Sequence, residues 1–68
     1  MNIFTKERKM LGLELKDIAK MLNKSFQDMF FLIHGSDVLS QEDIKKLVEI
    51  GFSIEASKNP KKEVSQKG

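Results

Sequence analysis

LELKDIAKMLNKSFQDMFFLIHG, residues 13–35, is the stretch on which the fold turns. Leu15, Ile18, Ala19 and Leu22 recur at intervals of three and four, the spacing that lines one face of a helix. Lys16, Asp17 and Lys20 fall on the opposite face, so a helix is predicted over residues 15–22. Asn23-Lys24 interrupts the stripe, and asparagine accepts a positive φ more readily than most side chains. Ser25-Phe26-Gln27-Asp28 then reads as a helix start. The serine can accept a backbone N–H, and the aspartate lies near the positive end of the helix dipole. A second helix is predicted over residues 25–34, closed by Gly35, with Met29, Leu32 and Ile33 turned inward.

The same signals recur on either side. A helix over residues 5–11 draws on Ile3, Phe4, Met10 and Leu11, although Glu7 occupies a place where a continuous stripe calls for an apolar residue. Gly12 ends it, since glycine takes the left-handed conformation at no steric cost. Downstream, Ser40-Gln41-Glu42-Asp43 repeats the serine-to-acid start and opens a helix over residues 40–50. Its stripe is Ile44, Leu47 and Val48, its stop is Gly51, and residues 52–56 add one short turn. No segment alternates at period two over strand length. The expected architecture is all-α, four to five helices over residues 1–57, followed by a polar, disordered tail over residues 58–68.

Composition narrows the function. A chain of 68 residues has a marginal core and no room for a large cofactor cleft. It has no Cys and one His, which excludes a disulfide framework and leaves too few soft ligands for structural zinc. There is no glycine-rich phosphate loop, Cys/His pair or nucleophile constellation, so neither an enzyme nor a cofactor is expected. The start lacks the apolar run of a signal peptide and nothing reaches transmembrane length, which points to the cytoplasm and away from membranes. The formal charge of +2 is unevenly spread. Residues 1–24 carry six basic side chains against three acidic, residues 25–57 two against six, and residues 58–68 four against one. Two basic ends therefore flank an acidic middle.

Two short helices joined by a tight turn, with a helix on each side, is the layout of a helix-turn-helix domain. Residues 13–35 resemble the helix-turn-helix of small phage repressors and Cro proteins, the Xre-like family of the lambda-repressor-like fold. The matching skeleton is Ile18, Ala19, Leu22, the turn Asn23-Lys24-Ser25, then Met29, Leu32 and Gly35. The likeness continues more loosely through Gly51-Phe52-Ser53-Ile54. Asn23 and Lys24 stand where the family usually has glycine and an apolar residue, and Leu15 where it commonly has a glutamine that reaches phosphate. The resemblance implies a transcriptional regulator that binds operator DNA as a homodimer, with residues 25–34 entering the major groove. Gln27 would then read a base edge, with Ser25 and His34 assisting and Phe31 touching a thymine methyl. Lys16, Lys20, Lys24 and the tail lysines would position the phosphate backbone.

That helix contains no Lys or Arg, and three of its outward positions are Phe26, Phe30 and Phe31. Besides hydrophobic contact of these rings with DNA, two arrangements are open from sequence. In one, Met29 to Ile33 are all core and Phe26 folds down with them. In the other, Phe26, Phe30 and Phe31 form an exposed patch that docks protein, as aromatic anchors commonly do. The second makes the chain an antirepressor or modulator, its acidic middle facing the basic surface of a cognate repressor. His34 near the helix end, and the lysines of the second helix and the tail, also read simply as solvated side chains.

Overall fold

The computed structural model describes residues 1–64, which form five α-helices: α1 (Ile3–Leu11), α2 (Leu15–Met21), α3 (Phe26–His34), α4 (Gln41–Ile50) and α5 (Ile54–Lys58). The fold is all-α. Among the described residues the sole extended pairing is an isolated antiparallel bridge between Asn2 and Glu63.

Side chains fix most of the helix starts. Ser25 Oγ accepts the Asp28 N–H at 3.0 Å and Ser40 Oγ accepts that of Asp43 at 3.2 Å, so both serine-to-acid patterns act as N-caps. Asn2 Oδ1 takes the Thr5 N–H at 2.8 Å, which starts α1 two residues earlier than the apolar spacing alone indicates. Ser53 Oγ takes the Ala56 N–H at 3.1 Å, which places α5 at Ile54–Lys58 instead of residues 52–56 and leaves Phe52 before the helix. Asn23 takes the left-handed conformation, φ 58°, between α2 and α3. Gly51 ends α4 at φ 132°, and a Cβ there would stand 3.0 Å from Leu11 Cδ2.

The core joins all five helices. Ile18, Ala19 and Leu22 of the α2 side pack with Met29, Leu32 and Ile33 of α3, as their spacing predicts. Phe4 of α1 stacks on Phe52 with ring centroids 4.6 Å apart and planes 6° from parallel. Leu39, Leu47 and Ala56 complete the enclosed set. Val48 is not part of it: 41% of its surface is exposed. The inward side of α4 is centred on Asp43 and Leu47 with Ile44 and Ile50 alongside, and this register leaves Val48 at the edge.

Two further contacts join distant parts of the chain. Glu7, which interrupts the stripe of α1, binds α5: its carboxylate accepts the Ser53 N–H at 2.8 Å and the Ser53 hydroxyl at 2.7 Å. Residues 58–64, assigned to the tail from sequence, lie along the start of α1 and include the end of α5. The Ile3 N–H donates to Lys62 O at 2.7 Å, that of Phe4 to Pro60 O at 3.3 Å, and that of Val64 to Met1 O at 3.1 Å. The physical reason is that the first N–H groups of a helix have no partner within it, and the tail carbonyls supply one. Pro60 is buried by this arrangement. Residues 65–68 of the expected tail lie outside the described residues.

Candidate functional site

The geometry of α3 follows from its inward residues. With Met29, Leu32 and Ile33 at 5% exposure or less, the 100° step of the helix turns residues 26, 27, 30, 31 and 34 outward. Ser25, Phe26, Gln27, Phe30, Phe31 and His34 are all exposed, together on the outer side of α3 and its cap. Phe26 is 56% exposed, and Phe30 and Phe31 each 45%. The arrangement with every residue from Met29 to Ile33 enclosed, and Phe26 folded down, is therefore wrong. Helix α3 has one apolar face in the core and a second facing solvent.

The exposed rings form a connected group. Phe30 and Phe31 meet edge to face, centroids 6.2 Å apart and planes at 79°. His34 lies one turn beyond Phe30, with centroids 4.7 Å apart and planes at 46°. Phe26 precedes Phe30 by four residues, the spacing that brings side chains of successive turns together.

The segment that carries this face is without Lys and Arg. Residues 25–44 contain Asp28, Asp37, Glu42 and Asp43 and no Lys or Arg. Lys16 and Lys20 are exposed on α2, where both solvation and phosphate contact remain open to them. Lys24 is not free as the spacing of the three lysines suggests: its Nζ pairs with Asp43 at 3.2 Å, with side chains 29% and 10% exposed. The pair ties the α2–α3 link to the first turn of α4, and it keeps Asp43 from standing as a lone buried charge. Lys61 and Lys62 of the tail are engaged too, and Lys67 lies outside the described residues. Lys61 Nζ donates to Asp37 O at 2.9 Å, and Lys62 pairs with Glu55.

Sequence reasoning missed a second concave region. A groove of about 630 Å³ runs between α1, the α4–α5 link and the terminal segment. Ile3, Met10, Leu11 and Val64 supply apolar lining, and Lys6, Glu7, Glu55 and Lys62 line it alongside them. Met10, counted from sequence among the apolar residues of α1, is 75% exposed and lines this groove instead of the core. Among the described residues no group of three His, Cys, Asp or Glu side chains is placed to hold a metal ion. No helix among the described residues is long and apolar enough to cross a membrane.

No family model, curated protein or solved structure matches this chain.

Proposed function

We propose that this chain is a small helix-turn-helix regulator that acts by docking a protein, a cognate repressor, through the outer face of α3. The observation that carries this reading is the exposure of Phe26, Phe30 and Phe31, 56%, 45% and 45%, on a helix with no cation. Aromatic side chains half in water gain most from being enclosed by a partner, and they dominate interface energetics. Asp28 on the same helix, with no Lys or Arg on α3, suits the basic surface with which a repressor meets DNA, and complementary charge steers such encounters. Docked there, the chain occupies the repressor's DNA-reading surface and competes with the operator.

Operator DNA is the second reading, and a specific feature favours it. Gln27, the one good reader of base edges on α3, stands exposed between Ser25 and His34, and Lys16 and Lys20 are exposed on α2. Binding through these residues, as a homodimer on a two-fold operator, leaves the phenylalanines against sugars and thymine methyls.

One titration separates the two. The full chain is titrated with the DNA flanking its gene over a salt series, and with a repressor encoded nearby. Protein docking predicts tight repressor binding that Phe30→Ala and Phe31→Ala abolish in the folded protein, with weak DNA binding. Affinity for the flanking DNA that falls steeply with salt, together with repressor binding unchanged by both substitutions, overturns the proposal in favour of the operator.

A further inference from the structure

We propose that α3 receives an arginine side chain of its partner, the guanidinium lying over Phe31 and hydrogen-bonded to the Asp28 carboxylate. The inference rests on the protein-docking reading above and names the chemistry of the group docked.

Three features of α3 converge on it. Asp28 precedes Phe31 by three residues, so the carboxylate and the ring occupy neighbouring turns on one flank of the helix. The Asp28 carboxylate forms no ion pair among the described residues, and its own N–H is taken by Ser25 Oγ. Phe31 stands nearly perpendicular to Phe30, 79° between planes, so the two rings form a corner, not a stack. Phe31 is 45% exposed, which leaves part of its ring open to a partner. A planar cation fits this combination: the guanidinium stacks on an aromatic face while its N–H fork addresses a carboxylate.

The surroundings select against other occupants. Among the described residues no cation lies within ion-pair distance of Asp28, and the nearest Lys in sequence, Lys24, is held by Asp43. Duplex DNA meets the Asp28 carboxylate with its phosphates, a like-charge approach. An uncharged apolar segment would cover the rings but leave that carboxylate partly desolvated without a partner. Lysine, a compact and strongly hydrated charge, satisfies the carboxylate and stacks less well.

The test is an NMR titration of the full chain with three ten-residue peptides of leucine and serine. They are identical except that two positions carry arginine, lysine or glutamine. The expected result is that the arginine peptide shifts the Phe31 ring and Asp28 amide signals and binds about fivefold more tightly than the glutamine peptide. Lysine is expected to fall between them. Asp28→Asn, with its amide spectrum confirming the fold, removes most of that preference; Phe31→Leu, which keeps an apolar side chain, removes the preference for arginine over lysine. Equal binding of all three peptides at α3 overturns the arginine assignment while leaving protein docking intact. So does the absence of shifts at α3 with every peptide when the repressor itself still binds there. Loss of repressor binding to the unmodified chain instead marks failure of the docking reading. Concentration-dependent self-association abolished by Phe31→Ser assigns the face to a second copy, and also overturns the proposal.

Discussion

Phe31 and Leu32 are adjacent in sequence and opposite in environment, and replacing each by alanine separates the working face of α3 from its structural one. Leu32 is 5% exposed and lies in the core. Leucine-to-alanine changes at such sites cost about 2–5 kcal/mol, from lost transfer energy plus the cavity left behind. A middle value of ~3 kcal/mol is a large share of the roughly 3–10 kcal/mol that a domain of this size commands. Phe31 is 45% exposed, so about half of a ring that encloses roughly 150–250 Å² when fully buried is at stake. At ~25 cal/mol per Å² this is about 2 kcal/mol. The retained Cβ and the better helix propensity of alanine, worth ~0.5 kcal/mol, reduce the net cost to ~1 kcal/mol. Urea unfolding followed by circular dichroism gives the comparison directly. With a slope near 1 kcal/mol per molar, the midpoint falls by about 1 M for Phe31→Ala and about 3 M for Leu32→Ala. Equal shifts, or a larger one for Phe31, refute the assignment of the two faces. The same Phe31→Ala protein, still folded, is expected to lose repressor binding.

Asn23 holds φ 58° between α2 and α3; Asn23→Val is expected to lower stability by about 1–2 kcal/mol and Asn23→Gly to leave it within ~0.5 kcal/mol, both read from thermal melts. Glu7 and Ser53 form one unit across 46 residues of chain, so a double-mutant cycle of Glu7→Ala and Ser53→Ala should give a coupling of ~1 kcal/mol. Additive losses in that cycle contradict the bonded arrangement.

The α2–α3 unit is the part of the molecule most legible in sequence. Ile18, Ala19 and Leu22 against Met29, Leu32 and Ile33 follow from helical spacing alone, and the caps Ser25 and Ser40 from the chemistry of helix starts. These are local rules, each set within four residues. The tail, Glu7 and Lys24 depend on partners far along the chain. Nothing near Pro60 or Lys62 signals that their carbonyls meet the start of α1, and nothing near Lys24 signals Asp43. The phenylalanines fall between these cases. Their spacing leaves both an enclosed and an exposed arrangement open, and packing decides: Met29, Leu32 and Ile33 fill the side of α3 facing the core, leaving the rings outside.

The bonds from Ile3 and Phe4 to Lys62 and Pro60 also bear on the order in which the molecule is built. During synthesis α1 leaves the ribosome before α2 to α5, yet the acceptors for its opening amides are among the later residues to follow. Until they arrive, those amides can bond only to water, and Phe4 has no Phe52 to stack on. The α2–α3 pair depends on short-range contacts and can assemble while the chain is still growing. Closing a loop of this length carries an entropic cost that adjacent helices do not face. Folding is thus expected to begin at the α2–α3 hairpin and finish by docking α1, although α1 is made before the other four. Amide exchange should reflect this order, with Ile3 and Phe4 opening before Leu32 and Ile33.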